Sequence, residues 1–299
     1  MLRAAAWTAR GLRVPSRNAL LADAVEPSRY GRAYGFERAM DNLGAIAGPL
    51  LAIGLVTAVG TRWAIGLSVV PGLLAALAIV YAVRHIGTPR GTHRIPVRIR
   101  VRPVLRGRLG RLFAGIGAFE VGNCAATLLI LRATGQLEAG RAEDAAATAA
   151  LWLYVVYNVS ATLASYPAGR HADRAGATRT LLIGVAAFAL AYAGLAADTE
   201  RWWGLAPWFV LAGVGIGCVE TAEHAAVATG APAGLRGSAF GLLAALQSLG
   251  NFAASAVAGL VWTALGPGWA FGYLVAWMLL ALVLVAAARP RREGAPASP

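Results

Sequence analysis

"ASYPAGRHADRAGATRTLLIG", residues 164–184, places Asp173 beside Arg174, with Arg170, His171 and Arg179 close by, and brackets the charges with Gly169 and Gly176. Long apolar runs lie on both sides of it. A charged, glycine-bracketed connection between greasy segments belongs to a chain that crosses a membrane repeatedly. Composition agrees: 58% of the 299 residues are hydrophobic and 14% are charged, against roughly a quarter charged in soluble domains.

Runs long enough to span a hydrocarbon core, which takes about 20 helical residues, occupy residues 39–59, 63–83, 112–131, 145–168, 180–197, 205–228, 239–265 and 269–288. Residues 2–21 are interrupted by Arg3, Arg10, Arg13 and Arg17 and read as the basic end of another helix. The expectation is an all-α polytopic membrane protein with about eight complete crossings and a partial one at the start.

The net charge of +13 comes from arginine without any lysine. The arginines crowd into residues 3–38, 84–111, 170–179, 236 and 289–292, which are alternate connections. This bias follows the positive-inside rule. It predicts a multi-pass protein of the plasma (inner) membrane with residues 84–111 and the C-terminus cytoplasmic, facing anionic lipid headgroups and not nucleic acid. Cys124 and Cys218 stand alone in apolar runs and read as small core residues. Neither cysteine has metal-ligand or redox spacing; Glu220 and His224 put an acid and a histidine at metal-capable spacing, but with a single histidine no metal site and no cofactor is expected.

The chain also repeats itself. "GRAYGFERAMDNLGAIAGPLLA", residues 31–52, aligns without a gap on "GSAFGLLAALQSLGNFAASAVA", residues 237–258. Gly31, Ala33, Gly35, Ala39, Leu43, Gly44, Ala47 and Ala52 meet identical residues, and Tyr34 meets Phe240. Matching helices in two halves are a common transporter plan, with the transport path between the halves.

Gly169, Asp173, Arg174, Gly176 and Arg179 spell G-x-x-x-D-R-x-G-x-x-R, which resembles the signature loop of the major facilitator superfamily. In the family this loop lies between helices two and three and again between eight and nine. The repeat then makes residues 31–52 helix five and residues 237–258 helix eleven. Gly44, Gly48 and Pro49 are similar to the helix-five motif of antiporting exporters, although Leu51 and Ala52 replace common glycines. The surroundings of Asp23 and Arg38 resemble the drug-efflux-like branch.

The resemblance implies four regions. Residues 1–83 are the remainder of an N-terminal bundle (the end of helix four, then five and six), 84–111 a basic linker, 112–288 a six-helix C-terminal bundle, and 289–299 a tail. Helices one to three and most of four have no counterpart here, as in a clipped or genuinely shortened chain.

In the signature loop, Asp173 is placed to accept hydrogen bonds from free N–H groups at the start of helix five, near residues 30–35. Such a contact would hold the outward-facing state. Ionisable groups inside crossings are the coupling candidates, since an unpaired charge there costs at least a few kcal/mol. Glu220, Glu223 and His224 share a helical face with Gly213 and Gly217, and Arg13 or Arg17 is expected to pair with Glu220 or Glu223 as a gate. Glu120, with Asn123 and Thr127 on one face of helix seven, is the leading substrate or proton site, and Asp41 is its parallel on helix five. Tyr154, Tyr157, Asn158, Gln247 and Asn251 supply polar and aromatic cavity surface.

Neither Gly-x-Ser-x-Gly nor His-Glu-x-x-His occurs, and there are only four histidines, so no enzyme is expected. The resemblance implies a secondary active transporter of small molecules working by alternating access, with proton-coupled efflux as its mode. The alternative is a truncated chain that does not transport and acts only through assembly with another chain. The sequence leaves the oligomeric state open.

Overall fold

The computed structural model describes residues 14–85, 101–199 and 201–288. Arg13, most of the basic linker and the tail lie outside them. Helix α1 covers residues 14–24. It is followed by α2 (Tyr30–Leu67), α3 (Val69–His85), α4 (Val101–Val104), α5 (Gly107–Gly122), α6 (Ala126–Leu137), α7 (Glu143–Ala175), α8 (Ala177–Ala196), α9 (Trp202–Gly230), α10 (Arg236–Leu265) and α11 (Pro267–Ala287). No strand occurs among the described residues. Seven helical stretches are long and apolar enough to cross a membrane, and the first, Pro27–Tyr81, runs for 55 residues. At about 1.5 Å per residue that stretch exceeds twice a ~30 Å core. Gly60, at φ 80° and ψ 161°, breaks it into two helices, which supply the first two of the expected crossings.

Single glycines make the sharpest connections. Gly176 (φ 93°) alone separates α7 from α8, and Gly266 (φ 100°) alone separates α10 from α11. A side chain at either would be strained in that left-handed conformation. The signature stretch is therefore mostly helix: residues 169–175 are the last turns of α7, extended past the predicted end at 168. Its alanines and arginines favour helix, and only Gly176 turns. Likewise α5 begins at Gly107, ahead of the apolar run at 112.

Both copies of the repeat start a helix directly after a 3-10 turn, Pro27–Arg29 before α2 and Ala233–Leu235 before α10. Helix α7 packs between α9 and α2, α8 packs on α9 and α11, and α5 packs on α11 and α10. An aromatic chain runs through the core, with Phe119 on Phe188 (5.3 Å between centroids), Phe188 on Tyr192 (5.4 Å) and Tyr192 on Phe271 (5.8 Å). The later part of α2 and all of α3 differ. Leu50, Leu51, Trp63, Leu73, Leu77 and Tyr81 are all exposed, as suits surface that faces lipid or another helix.

Candidate functional site

At the arginine-rich end, α2 and α7 touch backbone to backbone. A Cβ added to Gly169 would collide with the Gly31 carbonyl, and one added to Gly31 would collide with the Gly169 carbonyl and sit 2.6 Å from Asp173 Oδ1. This closeness lets Asp173 reach the start of α2. Gly31 N–H donates to Oδ1 (2.6 Å), Arg32 N–H to Oδ2 (3.2 Å) and Arg32 Nε to Oδ2 (2.9 Å). The carboxylate satisfies donors that the first turn of a helix leaves free, where the dipole favours an anion.

A second contact lies at the start of α10. Arg236 Nη1 meets Asp23 Oδ1 (2.5 Å) and the Ala22 carbonyl (3.2 Å), and Nη2 meets the Tyr30 hydroxyl (2.8 Å). A cavity of about 840 Å³ opens beside these contacts, lined by Tyr30, Gly31, Arg108, Asp173, Arg179 and Thr229 among others. Arg174 is exposed, as expected of a headgroup anchor.

Deeper in the bundle α2 meets α9 through charge. Arg17 pairs with Glu37 and lies 3.6 Å from Asp41. Arg38 holds Glu37 (2.8 Å) and Asp41 (3.4 Å) and lies 4.0 Å from Glu220. Among the described residues the expected pairing of Arg17 with Glu220 or Glu223 is replaced by another. Arg13 lies outside the described residues, Arg17 is held by the acids of α2, and the arginine facing Glu220 is Arg38. The spacing of Arg38 from Asp41, three residues on a helix, marks only that local pair and not Glu220.

Gly213 and Gly217 fit against α7, at Tyr157 and Ala161, while the ionisable side of α9 turns to α2 and α10. His224 lies between Tyr34 (5.6 Å) and Phe240 (6.0 Å), the aromatic pair matched by the repeat, and its Nδ1 donates to the Glu220 carbonyl (2.7 Å). Glu223 is fully buried, accepts one bond from Gln247 Nε2 (3.1 Å), and leaves its other oxygen without a partner.

Glu120 sits at the end of α5, also buried. The helix expected to continue from it stops, and residues 123–125 are non-helical before α6 begins. Asn123 is not one face onward from Glu120 but caps it, with Nδ2 on Oε2 (3.2 Å), and Thr127 is exposed on α6. Two side chains of α10 hold the break open. Asn251 Nδ2 donates to the Asn123 carbonyl (2.8 Å) and Ser255 Oγ accepts the Ala125 N–H (2.9 Å). Gly250 of α10 lets Glu120 pack against its backbone.

On α7, Tyr154 and Tyr157 stack (5.9 Å), and Asn158 donates back to the Tyr154 carbonyl (2.8 Å). Gly44 and Gly48 have open space where a Cβ would stand. Nothing among the described residues packs on that part of the helix-five motif. Cys124 and Cys218 are buried and free. Arg132, by sequence one of the few arginines outside the arginine-rich connections, has a structural role that its position does not announce. It is buried and caps α8, donating to the carbonyls of Leu195 (2.9 Å), Ala196 (3.2 Å) and Ala197 (3.2 Å) and to Asp198 (2.9 Å).

Two glycine-bracketed repeat helices, an aspartate capping the start of one of them and a set of spanning helices meet a direct comparison. The sequence model of the Major Facilitator Superfamily matches residues 1–132 and 133–299. The chain belongs to the Major Facilitator Superfamily. It is 26% identical over 256 residues to an uncharacterised MFS-type transporter of Methanocaldococcus jannaschii, covering 85% of this chain and 63% of that protein. An uncharacterised protein of Mycobacterium tuberculosis is 28% identical over 90 residues, 29% of this chain and 22% of its own. The fold is similar to that of the crystal structure of a bacterial homologue of the iron transporter ferroportin in an outward-facing state (TM-score 0.68, 15% identity, 90% of this chain and 66% of that one). The chain thus spans 63% to 66% of the length of the archaeal relative and the solved structure. It is a multi-pass membrane protein of the superfamily.

Proposed function

We propose that the chain is a secondary active transporter of small molecules that works by alternating access, with proton-coupled efflux as its mode. One observation carries this reading: where α2 and α7 pack backbone to backbone at the arginine-rich end, the Asp173 carboxylate caps the start of α2 through hydrogen bonds to Gly31 and Arg32. Such polar bonds can break and re-form as the halves rock. The arginine distribution puts that end in the cytoplasm of a cell with the chain in its inner membrane. Deeper, the Arg38–Glu220 approach serves as a gate. A proton on Glu220 removes its attraction to Arg38, leaving Arg38 to Glu37 and Asp41, with Arg17 beside them. Glu120 and Glu223 hold the coupling ion or a charged group of the substrate. Tyr154, Tyr157 and Asn158 furnish cavity wall.

The test is a flux assay on the purified chain in proteoliposomes, with ethidium as the amphipathic probe and an imposed pH gradient. Ethidium movement that follows the gradient and falls at least tenfold in Glu220→Gln is expected. Movement indifferent to the gradient overturns proton coupling, and no movement overturns independent transport.

The bare apolar flank of α2 and α3 favours a second reading, in which the chain acts only by assembly with another. Native mass spectrometry of the detergent-extracted protein separates the two, since that reading requires a heteromer.

A further inference from the structure

Where α5 gives way to α6, the described residues gather oxygen atoms without a positive charge. Neither Glu120 nor Glu223 has an ion-pair partner among them, although each is buried (3% and 0% exposed). On α9, Arg38 reaches Glu220 and stops one turn short of Glu223. Gln247, bound to Glu223, and Asn251, bound at the break beside Glu120, lie one turn apart on α10 and bring the two acids to one site. Two uncompensated carboxylates in a low-dielectric site are expensive, and something must neutralise them.

The neighbouring amides are oriented alike. Asn123 donates its NH2 to Glu120, Asn251 to the Asn123 carbonyl, and Gln247 to Glu223. No hydrogen bond among the described residues ends on the three amide oxygens. The unpartnered Glu223 Oε1 adds a fully buried acceptor. Irregular backbone at membrane depth is tolerated where it lines a site, and interrupted helices are where transporters coordinate ions.

Softer donors are turned elsewhere. Cys124 Sγ contacts the Tyr192 hydroxyl (3.6 Å), and the His224 ring is held between Tyr34 and Phe240. Oxygen-only surroundings suit hard cations and not thiolate- or imidazole-seeking metals.

We infer that the α5–α6 break binds a hard inorganic cation, an alkali or alkaline-earth ion, through the carboxylates of Glu120 and Glu223 and the amide oxygens of Asn123, Asn251 and Gln247. The inference deepens the reading of these acids as the ion-holding groups and rests on it. A monovalent ion leaves one carboxylate protonated; a divalent ion neutralises both.

Equilibrium dialysis of the purified full chain in detergent, with radioactive sodium in one arm and radioactive calcium in the other, tests the site. Choline chloride holds the ionic strength. Saturable uptake of one of the two ions, close to one per chain, is expected. It should weaken at least tenfold in Glu120→Gln and Glu223→Gln and persist in Cys124→Ser. Absence of saturable uptake of both ions by the wild-type chain overturns the inference, as does wild-type affinity in Glu223→Gln. If the glutamine variants do not fold, Glu223→Asp decides, since it keeps the charge and shortens the side chain: a changed affinity or a changed preference between the two ions supports the site, and unchanged binding overturns it. No gradient is imposed, so a chain that binds an ion but moves no ethidium refutes the transport reading alone. One that moves ethidium without binding either ion refutes only this site.

Discussion

Gly169 and Asp173 work as a unit one helical turn apart. The glycine removes the side chain that would keep α7 off α2, and the aspartate then reaches the Gly31 and Arg32 amides. The two roles are separable by substitution. Gly169→Ala places a Cβ on the Gly31 carbonyl and forces the helices apart, an overpacking cost of about 1–3 kcal/mol. Asp173→Ala keeps the fit but strands a partly buried N–H, a cost of about 1–3 kcal/mol. Both should lower the melting temperature in detergent. Only Asp173→Asn, which keeps an acceptor oxygen, should recover most of the loss, and an Asn variant as unstable as the Ala variant would show that the charge, not the cap, carries the contact. The G-x-x-x-D spacing was legible in the sequence because it is local. Arg38 was not readable as the partner of Glu220, because nothing near residue 220 in the chain names a residue on another helix.

Among the elements, the interruption between α5 and α6 is the feature that hydropathy hides. Residues 112–131 form one apolar run, and neither glycine at positive φ nor proline marks the stop at residues 123–125. The break persists because α10 supplies the missing hydrogen bonds from Asn251 and Ser255. Removing both partners, in Asn251→Ala with Ser255→Ala, should let the segment fray or rewind. Hydrogen exchange at the amides of residues 123–125 is expected to change by tenfold or more, with α8 unaffected, and unchanged exchange would mean that the break is intrinsic to α5 and α6. The opposite case is α7. Its length was underestimated because charged residues 170–174 were read as a loop, whereas arginine and alanine continue a helix readily once it leaves the lipid.

Across the whole molecule, the two repeat-related helix starts each carry a contact to another part of the chain, Asp173 on α2 and Arg236 on Asp23. If these contacts close one face of the molecule, a reducible bismaleimide cross-link between Asp23→Cys and Arg236→Cys, long enough to span the ion pair, should lock it. Cross-linked proteoliposomes are expected to lose ethidium flux and to regain it with reductant, and undiminished flux in the cross-linked chain would show that this end does not open.

The class of protein is legible in the residues alone. Run length, the placement of arginine and the gapless repeat are properties of neighbouring residues, and each responds to lipid or water without reference to the rest of the fold. The sequence also marks which residues would be costly to bury, among them Glu120 and Glu223. Tertiary structure alone decided their partners. Asp173 and Gly31 lie 142 residues apart in the chain, and their meeting depends on how closely two helices approach, a distance set by backbone contact at glycines. The same holds for the open break after Glu120, which exists because donors and acceptors on α10 satisfy backbone groups that water cannot reach.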